Sequence, residues 1–160
     1  MRIWPAALLV ALLAGASCGG KERLPFLGKW ALRFEVTGAG EGAKPADLTR
    51  NELVGYLQIY ATKNGFILFL EGEQQSIEVR GDWKIERKRL VLAPKDVLID
   101  DRGGVDVRDP NKKYLEPDGI REAYSRGLVL VPSQDGTKLE GLTMAIGPLR
   151  GRHLAAREKG

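Results

Sequence analysis

Few side chains in this sequence have the means to do covalent or metal chemistry. His153 is the single histidine among 160 residues. A general base needs a nucleophile or a partner carboxylate within hydrogen-bond reach, and no local motif supplies either. Ser125 and Ser133 stand outside the glycine-flanked turn that lifts a nucleophilic serine above a sheet. Asp100, Asp101, Asp106 and Asp109 offer the oxygen ligands that calcium takes, but without the spacing of a calcium loop. Zinc motifs and phosphate-cradling glycine loops are absent from the sequence. The expectation is therefore a protein that is not an enzyme, with no metal and no cofactor, and with His153 an ordinary surface or strand residue. Cys18 is the exception. It is the lone cysteine, and an unpaired thiol in an exported chain needs a reason, which covalent modification would supply.

Export itself is read from the residues before Cys18. Ile3 to Ala16 are almost wholly apolar, follow one positive side chain at Arg2 and stop at small residues, as a secretory leader does. A membrane-spanning helix needs about 20 apolar residues. Here Gly15, Ser17, Gly19 and Gly20, then Lys21-Glu22-Arg23, end the run early, so an uncleaved anchor is the lesser alternative. Leu12-Leu13-Ala14-Gly15-Ala16-Ser17-Cys18 resembles the lipobox of bacterial lipoproteins. That resemblance implies an acyl lipid on Cys18 as the first mature residue, with 1–17 a signal peptide and 18–24 a tether of at most about 20 Å from Gly19 to Leu24. The family usually places Leu where Gly15 stands, and Ala14-Gly15-Ala16 also suits cleavage after Ala16, which would release a secreted or periplasmic protein. Gly19 is not the Asp that resembles an inner-membrane retention signal, so the outer membrane is the expected address.

The charge balance sets further limits. Lys and Arg number 25 against 21 Asp and Glu, a net of +4, and the charges interleave along the chain. Such a mild bias suits weak attraction to an anionic lipid surface but falls short of a nucleic-acid footprint, so nucleic acid is excluded as a partner.

The elements that must position any site read as strands. In the stretch opened by Phe26-Leu27-Gly28, Trp30, Leu32, Phe34 and Val36 share one face while Lys29, Ala31, Arg33 and Glu35 share the other. Gly-rich 37–45 predicts a loop, with an optional helical turn capped by Asp47. Leu53 to Thr62 predicts a second strand, Asn64-Gly65 a primed two-residue turn, and Phe66 to Leu70 a strand apolar on both faces. Ser76 to Glu86 alternates cleanly, placing Ile77, Val79, Gly81, Trp83 and Ile85 together. Arg87-Lys88 predicts a tight turn, and Pro94 a bend or edge in the following strand. Residues 100–126 read as a long loop with one helical turn at Ile120 to Tyr124. Leu128 to Val131, Leu139 to Ile146 and Arg150 to Arg157 complete the series, with turns at Asp135-Gly136 and Gly147-Pro148. About eight strands without a long helical pattern predict one all-β domain over 25–160, an antiparallel meander closed as a barrel.

An early Gly28-x-Trp30, an eight-strand meander and a basic last strand together resemble the lipocalin-like, or calycin, barrels. The resemblance implies that Trp30 closes one barrel end under an arginine from the last strand, for which Arg150, Arg152 and Arg157 are candidates, the first two preferred. Eight strands enclose either a packed core or one small ligand, and both readings stay open. In the first, an envelope-anchored module binds a small hydrophobic or amphipathic molecule, with Tyr56, Tyr60 and Trp83 as its contacts and Gln58 as a further polar group. In the second, a packed barrel docks another envelope component through Phe66 to Leu70 or through the long loop near Tyr114 and Tyr124.

Overall fold

A computed structural model describes residues 21, 23–39, 53–72, 75–101, 117–147 and 149–158. The expected leader with Cys18, the expected helical turn at Asp47, and Asp106, Asp109 and Tyr114 lie outside the described residues. The strands are β1 (Gly28–Ala39), β2 (Leu53–Ile59), β3 (Gly65–Glu71), β4 (Gln75–Glu86), β5 (Arg89–Asp101), β6 (Leu128–Pro132), β7 (Lys138–Gly141), β8 (Met144–Ile146) and β9 (Leu149–Arg157); the helix α1 spans Pro117–Ser125. Each strand pairs antiparallel with its neighbour, and β1 pairs with β9 as well as β2, so the sheet closes on itself. The result is the expected all-β, eight-position meander barrel.

Alternation decides what fills it. Trp30, Leu32 and Phe34 of β1 point inward with Leu57 and Ile59 of β2, Phe66, Leu68 and Leu70 of β3, Ile77, Val79 and Trp83 of β4, and Leu90 and Leu92 of β5. All of these expose 3% or less of their surface. Among the described residues, the apolar residues of this core fall between Phe26 and Ala155. Phe66 to Leu70 owes its two apolar faces to position. Phe66, Leu68 and Leu70 enter the core, while Ile67 and Phe69 lie half-buried outside.

The turns follow backbone chemistry. Arg87 and Lys88 take φ of 50° and 63°, the two left-handed residues of a primed hairpin whose twist matches the strands. The expected two-residue turn at Asn64-Gly65 is replaced by a wider loop: Ile59 pairs with Phe66, and Lys63 and Asn64 take the positive φ while Gly65, at −81°, opens β3. Just past the end of β2 the Tyr60 N–H donates to the Gly65 carbonyl at 2.9 Å, and its own carbonyl accepts a hydrogen bond from Trp83 Nε1 at 2.8 Å. Pro94 does not end the ladder with β4, but it marks the expected bend and edge: β5 pairs with β6 only as far as Leu92, so on that side Pro94 is unpaired among the described residues. It sits inside β5, opposite Gly81, where a bulge leaves Lys95 without a counterpart in β4. A Cβ on Gly81 would lie 2.1 Å from the Ala93 carbonyl oxygen, so this crossing requires glycine.

Two further differences lie near the end of the chain. The single strand expected over Leu139 to Ile146 is broken at Leu142-Thr143 into β7 and β8, which pair successively with the two halves of β9. The one helical turn expected at Ile120 to Tyr124 is a nine-residue helix, with Pro117 at its start and Gly127, at φ 77°, after its end. Ile120 and Tyr124, spaced by four, make its buried stripe. The helix packs on β5 and β8, at the barrel end opposite the one where β1 begins.

Candidate functional site

Three places in this barrel collect polar and aromatic groups. The first is the end where the chain enters. Gly28 has φ of 104°, open to glycine alone, and this turns the short 3-10 segment Leu24–Phe26 back under β1. Trp30 Nε1 then donates to the Phe26 carbonyl at 3.0 Å. The Arg157 guanidinium stacks 4.4 Å from the centre of the Trp30 ring, while its Nη1 donates to the Leu27 carbonyl at 3.1 Å and its Nη2 to that of Pro25. Cation, ring and three backbone carbonyls thus lock the entering chain to the last strand. Arg150 and Arg152 do not take this place. Along β9, Leu149, Gly151, His153 and Ala155 face inward, so Arg150 and Arg152 point out, and Arg152 bonds Glu35 (3.0 Å) and Glu140 instead. Arg157 has the parity of the inward residues.

The second place is the interior. Trp30, Phe34, Phe66, Trp83 and Tyr124 are each exposed by 2% or less, so a water-sized sphere finds almost no room beside them. His153 lies among them, fully buried, with Phe34 (5.1 Å between ring centres) and Tyr124 (5.7 Å) set edge-on around it. Its Nε2 shares a 3.0 Å hydrogen bond with the Tyr124 hydroxyl, and its Nδ1 has no partner among the described residues. Burial lowers the His153 pKa to about 4 and pushes that of Tyr124 up, because each charged form would sit in an apolar medium. The imidazole is neutral at ordinary pH, sealed from solvent, and joins α1 to β9. His153 is therefore a strand residue, as one reading expected, but not a surface one.

The third place is a trough of about 810 Å³ on the outer wall, across β7, β9, β1, β2 and β3. Strand register aligns Lys138, Ala156, Ala31, Tyr56 and Phe69 in one transverse row. The two alanines are the floor, since neighbours in the row are larger. Tyr56 and Phe69 stack with ring centres 5.5 Å apart, and Lys29 Nζ lies 5.1 Å from the Tyr56 ring. Lys29 pairs with Glu158 at 3.5 Å, and the sides carry Arg33, Glu71 and Glu140. Cations and anions alternate around an apolar base.

The expected ligand contacts divide among these places. Trp83 is in the core and bonded to Tyr60; Tyr60 is 43% exposed on its loop; Tyr56 and Gln58 face outward from β2, next to inward Leu57. They do not converge on one pocket. Asp100 belongs to β5, and no group of three His, Cys, Asp or Glu that could hold a metal ion occurs among the described residues. What sequence reasoning missed is the Tyr124–His153 pair, for which the inward parity of His153 and the four-residue spacing of Ile120 and Tyr124 were the available signals.

The closed meander, with one end sealed by tryptophan and arginine and the other packed by a helix, defines an eight-stranded antiparallel β-barrel. No protein-family model matches the chain, and no curated protein matches its sequence.

Proposed function

We propose that this chain is a lipid-anchored, non-enzymatic protein of the bacterial cell envelope, carrying its acyl group on Cys18, whose packed barrel docks another envelope component instead of carrying a ligand in its interior. One observation carries the choice: the five large aromatic side chains of the interior are all sealed, where a carrier needs a cavity of a few hundred Å³ at about this position. The lipobox-like leader supports the anchor. The sealed, singly bonded His153 supports a structural duty for that residue, since a general base must reach its substrate. The outer trough is the surface for the partner, and its alternating Lys29, Arg33, Glu71 and Glu140 fit a polypeptide segment of mixed charge better than a bilayer or nucleic acid.

Native mass spectrometry of the domain purified from a bacterial host tests the choice. Bare protein, with no uptake of offered fatty acid or haem, is the expected result. A stoichiometric adduct unaffected by Ala31→Trp would overturn the packed-core reading; an adduct displaced by that substitution would place a small molecule in the trough instead. Photo-crosslinking from position 31 in cells then identifies the partner, and Tyr56→Ala is expected to abolish the same crosslink.

A further inference from the structure

Among the described residues, exposed cations far apart in the sequence gather at one end of the barrel. At the barrel end where β1 begins stand the loop 60–65, the hairpin 87–88, the turn 133–137 and the end of β9. Lys21, Arg23, Lys63, Arg87, Lys88 and Arg89 all belong to this end, and all but the half-buried Arg23 are exposed. Lys63, Arg87, Lys88 and Arg89 have no ion pair among the described residues. Among the described residues the anions nearby are already engaged: Asp82 by Lys95 (2.6 Å), Glu86 by Lys84 (2.5 Å), Glu158 by Lys29 (3.5 Å) and Asp135 by hydrogen bonds from Ser133 Oγ and the Thr137 N–H. At the opposite end the helix pairs its own charges, Arg121 with Asp118 and Arg126 with Glu122.

A second feature of the cationic end points to the same partner. Leu24 and Tyr60, two of the exposed large apolar side chains, are 64% and 43% open to solvent there. Arg23 connects them: it bonds Asn64 of the loop and lies 4.6 Å from the Trp83 ring, whose Nε1 holds the Tyr60 carbonyl. An exposed tyrosine and leucine ringed by unpaired cations is the composition of a surface that lies in a headgroup layer, with aromatic and aliphatic groups dipping in and lysine and arginine staying at phosphate level.

We propose that this end of the barrel docks on an anionic phospholipid bilayer, setting the domain upright with α1 pointing away and the trough facing sideways. The inference extends the anchored reading, because the chain enters the barrel at this same end and Cys18 lies only six residues before Leu24. It does not depend on the lipid, since the attraction belongs to the folded domain.

The domain from Gly19 onward, which contains the entire described core, is mixed with phosphatidylcholine vesicles with or without phosphatidylglycerol and sedimented. Binding is expected with the anionic lipid, falling as salt is added. Arg87→Asn with Lys88→Gly removes two cations while installing the residue pair that a primed turn prefers, so the fold is kept. It should weaken partitioning roughly 25-fold, about fivefold per cation. Arg121→Gln with Arg126→Gln, at the far end, should leave it unchanged. Equal partitioning on both vesicle types, no loss with the hairpin variant, an equal loss with the helix variant, or equally tight binding to duplex DNA would each overturn the proposal. Labelling of the full chain with an alkyne fatty acid in a bacterial host reports on Cys18 separately, so the anchor and the docking face can fail independently.

Discussion

His153 should make the stability of this barrel depend on pH above the range where carboxylates titrate. Burial holds its pKa near 4 in the folded protein, against about 6.5 in an unfolded chain. Between those values the unfolded state binds a proton that the folded state refuses, so stability rises with pH through this window. The contribution is fully present above about pH 6.5 and is lost progressively as the pH falls towards 4. At about 1.4 kcal/mol per pH unit the difference amounts to about 3 kcal/mol. Among the described residues no charged group is in contact with the ring: Phe34 of β1 and Tyr124 of α1 pack on it, and Gly141 of β7 lies beside the His153 backbone and Cβ. The assay is urea unfolding at a series of pH values from about 7.5 to about 4.5. The control is the pair His153→Leu with Tyr124→Phe, which removes both hydrogen-bonding partners together and abolishes the orphaned Nδ1. Replacing both should be close to neutral or stabilising by about 1–2 kcal/mol at neutral pH, and the slope should flatten. Asp135, held down to about 2 by hydrogen bonds from Ser133 and Thr137, titrates below this window and does not confuse it. A wild-type protein equally stable across the window, or a double variant that keeps the full slope, would refute the reasoning.

Other substitutions probe the remaining contacts. Gly151→Ala places a Cβ 2.3 Å from the Glu35 carbonyl oxygen and 2.7 Å from the Phe34 ring, and should cost about 1–3 kcal/mol in the same unfolding assay. Arg157→Ala uncovers Trp30 and frees two backbone carbonyls; a loss of about 1–2 kcal/mol is expected, with a change in tryptophan emission. Arg150→Ala, exposed on the outer face of β9, should change stability by less than about 0.5 kcal/mol. Arg87→Asn with Lys88→Gly should preserve or raise the melting temperature, because neither parent residue favours the left-handed region it occupies.

The barrel was legible in the sequence wherever one face of a strand is wet. β1 and β4 alternate strictly, and their inward sets emerged from periodicity alone. The structure departed from the expectation where long-range pairing decides. β7 and β8 read as one strand because the break at Leu142-Thr143 follows from how β9 pairs with each half, which local residues do not encode. The helix was read one turn long because its polar side is exposed and only Ile120 and Tyr124 are buried, too few apolar positions to outweigh the surrounding loop chemistry. Tyr56 and Tyr60 carry no mark of which wall they occupy: alternation gives two faces, and which is interior depends on the register with β1. Arg157 could be chosen over Arg150 and Arg152 only once β9's inward residues were known. The cation cluster among the described residues was invisible for a related reason, since lysines and arginines far apart in the chain meet only when the turns are gathered at one end.

The pairing of β1 with β9 has a consequence for how the protein is made. The first strand and the last are partners, with Trp30 opposite Arg157 and Ala39 opposite Leu149, so more than a hundred residues intervene between edges that must meet. Neither edge can be satisfied by any shorter piece of the chain. A ribosome or a translocation channel that has released everything up to β8 has produced a curved sheet with two open sides, its tryptophan uncovered and its buried histidine not yet delivered. The final nine-residue strand is the shared neighbour of β1, β7 and β8, so a chain cut short before Leu149 would leave all three without the partner that closes the sheet.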